Sequence, residues 1–245
     1  MPSKEGLCSN LTSLNLENNC IDDAGALALA EMLQAQGPAS RLTFLDLTSN
    51  EITAIGAKAL SEALAPASSE GSDAGSDPSE EAPRRRTPNA TLRVLNLADN
   101  AIGPKGAQAL ATALQEGGCR IEALDLADNG IRTEGAETLA DVLLSRTSVT
   151  SLNLSGNSLG NTGAKALAEL LKPEHALRRL ALSRNGITLL GVKQLAHTFH
   201  TFQLYRKDSE STKQIHKTLI LTGNNVPYNE GYNAFLGTKN LVVRL

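Results

Sequence analysis

Few residues in this chain have types and spacings that imply chemistry. Gly156-Asn157-Ser158-Leu159-Gly160 matches G-x-S-x-G, the pattern that lifts a serine onto a sharp strand-to-helix turn as a nucleophile. Acyl transfer there also needs a histidine base and an acid to orient it, and no Asp and His follow with an evident triad role. His197 and His200 stand three apart on a helix face, with His216 beyond them. A closed zinc site takes four ligands, and no cysteine or carboxylate cluster completes the set, so neither a metal nor a cofactor is expected. No G-x-x-x-x-G-K-S/T loop is present to cradle phosphates. Cys8, Cys20 and Cys119 are odd in number and unpatterned, which argues against a disulfide framework and for a reducing compartment. Thr87, beside Arg84, Arg85 and Arg86, is a candidate phosphorylation site.

The serine pattern dissolves on comparison with the rest of the chain. Leu11-x-x-Leu14-x-Leu16-x-x-Asn19-x-Ile21 returns at Leu42 to Ile52, Leu92 to Ile102, Ile121 to Ile131, Val149 to Leu159 and Leu177 to Ile187. A seventh copy runs from His216 to Val226, with His216 in the first leucine slot. Asn157 and Leu159 are therefore repeat positions, and sister copies hold Glu51, Ala101, Gly130 and Gly186 where Ser158 sits. A fixed period of this size is the signature of a solenoid.

Each copy predicts the same unit. Leu14 and Leu16 alternate with Ser13, Asn15 and Glu17, which is the period of a strand with one buried face. An asparagine follows every strand, at 19, 50, 100, 129, 157, 185 and 224. Its amide is expected to bond loop backbone groups in its own and the neighbouring copy. Three residues on stand Asp22, Thr53, Gly103, Arg132, Gly160 and Thr188, several of them good N-caps. A Gly six residues after each of the first six asparagines then opens an Ala-Leu-rich helix. Leu27, Ala30 and Leu33 share one face of such a helix, as do Leu60 with Leu64 and Leu139 with Leu143. Cys20 and Cys119 fall within this frame and read as packing residues.

These residues resemble the leucine-rich repeat family, in the subtype of about 28 residues per repeat found in ribonuclease inhibitor and NOD-like receptors. The resemblance implies an α/β fold: a right-handed solenoid, or horseshoe, with parallel strands on the concave face and helices on the convex one. About seven repeats fill residues 11–245 behind an N-terminal extension at 1–10. The step from Asn50 to Asn100 holds a Ser-, Pro- and Glu-rich insertion, residues 66–90, expected to be disordered. Residues 199–245 form an atypical capping region, because Phe199, Phe202, Tyr205, Tyr228, Tyr232 and Phe235 gather there and end repeats must cover an exposed core. Val242 and Leu245 fit the start of an eighth strand.

The concave face is where a partner is expected. Its side chains include Asn15, Glu17, Phe44, Asp46, Asn96, Asp125, Asn153 and Arg179, with Asp99, Asp128 and Arg184 just beyond the strands. It is small, polar and mildly acidic early, and turns basic late. A net charge of −3 gives no reason to expect nucleic acid or a membrane surface as partner. No apolar run is long enough to span a bilayer, and no apolar stretch follows the first charges as a signal peptide requires. Sequons at Asn10, Asn89 and Asn153 are then chance matches. The expected protein is a cytoplasmic or nuclear non-enzymatic scaffold, monomeric or part of a larger assembly, that binds another protein. Two alternatives use similar repeats. A Ran-type GTPase-activating protein carries a strongly acidic tail, where this chain ends Lys239 to Leu245. A tropomodulin-like protein would bind actin.

Overall fold

The computed structural model describes residues 10–36, 40–65, 89–115, 118–145, 147–172, 174–205, 216–236 and 241–245. Each leucine pair builds a short strand: β1 (Ser13–Asn15), β2 (Phe44–Asp46), β3 (Val94–Asn96), β4 (Ala123–Asp125), β5 (Ser151–Asn153), β6 (Arg179–Ala181) and β7 (Lys217–Ile220). An eighth strand, β8 (Leu241–Arg244), completes what Val242 and Leu245 only suggested. Between them lie α1 (Asp23–Gln36), α2 (Ala54–Leu64), α3 (Gly103–Gln115), α4 (Arg132–Leu143), α5 (Gly160–Ala168), α6 (Leu189–Tyr205) and α7 (Tyr228–Ala234). All eight strands are parallel, in chain order, in one open sheet. Adjacent strands sit about 4.8 Å apart, whereas packed helices need about 8–10 Å. The ribbon therefore curves with its strands inside, as a leucine-rich-repeat solenoid.

Register lines up the core. Leu14, Leu45, Leu95, Leu124, Leu152, Leu180 and Leu219 pair in succession. From Leu45 onward each is at most 3% exposed, a burial that stabilises by about 1.5–3 kcal/mol per side chain. Leu14 is only partly buried, because among the described residues no repeat packs on its outer side. The expected burial of Leu27 is overturned: it is 50% exposed although Ala30 and Leu33 are buried, because it holds the solvent-facing helix position taken by Lys58, Gln108, Glu137, Lys165 and Lys193 in the other repeats. Residues 66–88 of the insertion, Thr87 among them, lie outside the described residues. The ladder is undisturbed across it: Leu45 pairs with Leu95, and the Asn89 N–H bonds the Ala63 carbonyl at 2.9 Å.

The repeated asparagines tie successive turns together. Asn157, fully buried, accepts at Oδ1 from the Asn129 and Ile131 N–H groups (3.0 and 3.1 Å). Its Nδ2 donates to the Leu126 and Ser155 carbonyls (2.8 and 3.1 Å). Asn50, Asn185 and Asn224 bond the preceding turn in the same way.

The helix starts depart from expectation. Asp22 and Thr53 do cap, accepting from Gly25 and Ile55 N–H groups. Gly103, Arg132 and Gly160 instead enter their helices with φ near +60°, a conformation in which a side-chain cap does not form. Two further caps come from the neighbouring turn. Asp23 accepts from Thr53 N, Thr53 Oγ1 and Gly56 N of the second repeat, and Asn161 accepts from Thr188 N and Gly191 N. Burial raises the Asp23 carboxyl, but these bonds outweigh it and hold the group below its ordinary value.

The seventh copy also differs. His216, placed in the first leucine slot, is exposed, and Lys217 is buried in its stead at 2% exposure. The Lys217 ammonium donates to the carbonyls of Leu170, Lys172 and His175, so its stem packs while its charge caps the turn after α5. Of the late aromatics, Phe199 and Phe235 are buried, whereas Tyr228 and Tyr232 are 69% and 58% exposed and stack on each other.

Candidate protein-binding face

Side chains leave the concave side in columns, because the register puts equivalent positions side by side. The middle column holds Asn15, Asp46, Asn96, Asp125 and Asn153 of the residues expected to meet a partner. Its polar atoms are largely occupied. Asn15, Asp46, Asp125 and Asn153 each accept, at Oδ1, from the N–H two residues on (2.8–3.1 Å). The second oxygens of Asp46 and Asp125 accept from Asn96 Nδ2 and Asn153 Nδ2, both at 2.9 Å. Alternation of Asp with Asn lets each carboxylate meet a donor on the next strand. Asp46 is only 9% exposed. Burial raises its carboxyl, and the bonds from Thr48 and Asn96 override that and hold it low.

The turn beyond the strands is built in left-handed backbone. Asn18, Ser49, Asp99, Asp128, Gly156, Arg184 and Gly223 occupy one position of successive repeats, all with φ between 52° and 71°. Asp99 is exposed and accepts from Ser49 Oγ at 2.9 Å. Arg184 reaches Asp128 at 2.7 Å, two repeats away. Gly156 lies between them, and a Cβ there would fall 1.9 Å from Asp128 Oδ1. This crossing was not foreseen, because Gly156 was read within the serine motif. Glu17 is exposed at the first repeat.

The first column behaves differently. Phe44, Val94 and Ala123 are register neighbours and half-buried, forming a continuous apolar strip. Ser151 follows, then Arg179, whose side chain is exposed and makes no hydrogen bond or ion pair among the described residues.

The other chemical candidates dissolve into the scaffold. Ser158 is exposed with φ 55°, but Cys20, Gly130 and Gly186 share that backbone at the same repeat position. The supposed elbow is thus a property of the turn. His197 is exposed, His200 bonds the Ala234 carbonyl through Nε2 at 3.2 Å, and among the described residues no three His, Cys, Asp or Glu side chains gather as a metal site. Cys20 is exposed, not a packing residue; Cys119 is half-buried, and burial pushes its thiol up. Of the sequons, Asn10 is exposed, Asn89 is 1% exposed, and Asn153 gives its amide to Asp125. No described helix is long and apolar enough to cross a membrane.

The family model for Leucine Rich repeat matches residues 7–30, 41–61, 89–111, 120–140, 146–168 and 175–196. No curated protein matches the chain. Each matched segment runs from a strand through the asparagine turn into the following helix. Together the six cover more than half of the sequence, and the chain belongs to the leucine-rich repeat family.

Proposed function

We propose that this chain is a non-enzymatic interaction scaffold that takes a partner protein on the concave face of its sheet. Leucine-rich repeat domains generally mediate protein–protein interaction. The observation that carries the proposal here is the contrast between columns: the middle one is bonded to itself, while half-buried Phe44 and Val94 and exposed Arg179 present side chains with no hydrogen bond or ion pair among the described residues. Eight strands at about 4.8 Å span roughly 34 Å, long enough for a standard interface of about 800 Å² per partner. The subtype we assign is that of ribonuclease inhibitor and NOD-like-receptor arms, supported by the 28-residue steps from Asn129 to Asn157 to Asn185 and by a helix after each strand. We place the protein in the cytoplasm or nucleus.

Charge reversal at Asp46 or Asp125 would test this poorly, since it would also break the ladder. Ala98→Arg and Ser151→Arg fill the face from half-buried positions with no ladder bond. Proximity labelling in the native cell should lose a common set of partners with both variants at unchanged thermal midpoint. Retention of every partner by both variants refutes the concave face.

A further inference from the structure

Resting on the concave-face proposal, we infer that the segment this face grips is an acidic apolar stretch of polypeptide: an apolar side chain against Phe44 and Val94, and a carboxylate on Arg179. The inference comes from the first column. Phe44, Val94, Ala123, Ser151 and Arg179 follow one another across five paired strands. The first three supply apolar surface. Beyond the middle column, the third column carries Thr48, Ala98, Ala127, Ser155 and Ser183 over the second to sixth repeats, none longer than threonine, with Glu17 before them.

Charge selects the other end. Three acids of the neighbouring repeats are engaged: Glu122 pairs with Arg93 at 3.4 Å, Asp128 with Arg184, and Asp125 with Asn153. Arg178 and Arg179 are both exposed on the sixth repeat, and Arg178 donates only to the His175 carbonyl. Arg179 thus keeps all five donors for an anion from outside, and guanidinium–carboxylate pairing is bidentate and directional. Phe44 and Arg179 lie four strand spacings apart, about 19 Å. That separation is about six residues of extended chain, or about thirteen of helix at 1.5 Å rise.

The test is a random 16-residue peptide display library selected on the whole chain, with enriched peptides measured by fluorescence anisotropy. The expected peptides carry an aliphatic or aromatic residue and, six or thirteen positions away, Asp or Glu. Phe44→Ala and Arg179→Glu should each weaken them at least tenfold, with thermal midpoints unchanged, and replacing the peptide acid with Lys should restore binding to Arg179→Glu. Peptides that lose binding to Ala98→Arg yet bind both other variants normally would leave the concave face standing and overturn this inference. Indifference to all three variants overturns both. The absence of any peptide binding below 100 μM overturns the inference alone.

Discussion

Replacing Asn157 with Ala deletes the group that joins the fourth and fifth repeats, and the cost can be worked from its bonds. Two N–H groups, Asn129 and Ile131, and the Leu126 carbonyl lose their partner at a site with no exposure, while the Ser155 carbonyl keeps the Asp128 N–H at 2.8 Å. A buried polar group left unsatisfied costs about 1–3 kcal/mol. Three such groups, partly relaxed, give about 3–5 kcal/mol, a large share of the 5–15 kcal/mol that folded domains possess. Asn19 is the internal control. It is exposed, no turn precedes it among the described residues, and its amide donates only to the Glu17 carbonyl at 2.8 Å. Asn19→Ala should therefore cost no more than about 1 kcal/mol. Because repeats couple only to neighbours, a mid-array lesion splits the unfolding transition as well as shifting it. Urea titration followed by circular dichroism reads the total. Amide exchange at Asn129 and Ile131 reads the lesion itself, with exchange faster by two or more orders of magnitude for Asn157→Ala. Equal costs for the two substitutions, or unchanged exchange at those amides, would refute the ladder as the source of inter-repeat stability.

Other outcomes follow from the same geometry. Gly106→Ala should gain about 1 kcal/mol from helix propensity, but the new Cβ lies 2.4 Å from Ile102 Cγ2 and 3.2 Å from the Ala54 backbone; we expect a net loss of about 1–3 kcal/mol in urea titration, and a stabilised variant would contradict the close approach. Burial lowers the Lys217 ammonium from 10.5 to about 8, with Arg178 adding to that and Glu174 opposing it. Between those values the unfolded chain holds more protons, so stability should rise with pH from about 8 to 10.5, by at most about 3 kcal/mol; Lys217→Met should lack that rise, and identical profiles would reject the burial. Ser158→Ala should leave activated-ester hydrolysis at the level of the parent protein, and a loss of activity on substitution would revive the nucleophile.

Most of the scaffold was legible because it is written several times over. One leucine pair is ambiguous between strand and buried helix, but seven pairs in phase, each followed by Asn, are not. What escaped was whatever one repeat does to another. Alternation at Asp46 and Asn96 says which way the side chains point, not that they bond across strands. The left-handed entry at Arg132 was invisible because nothing in arginine announces a positive φ, whereas Gly103 and Gly160 at the same position hinted at it. The slip from His216 to Lys217 escaped because a charged residue was not counted as a core residue. It becomes one only where three carbonyls converge on its nitrogen. An end effect defeated the pattern at Leu14, which matches its sisters in type but has no repeat packed beyond it among the described residues, and Leu27 is an apolar residue at the position where other repeats hold exposed Lys58, Gln108 and Glu137.

These failures share a cause that bears on function. In a stacked array, a side chain that meets its like on the next turn is consumed by the array: the leucines pack, the asparagines bond backbone, and the Asp–Asn pairs bond each other. What remains for a partner is what interrupts a column. Phe44 and Val94 interrupt a column of small residues, and Arg179 interrupts it again with charge. Gly156 interrupts the turn column and lets Asp128 meet Arg184 over the gap, which removes that pair from the available surface. Specificity in such a protein is carried by departures from the repeat and stability by conformity to it. A substitution at Phe44 or Arg179 should therefore change what is bound without changing how the chain unfolds, while one at Asn157 should do the reverse.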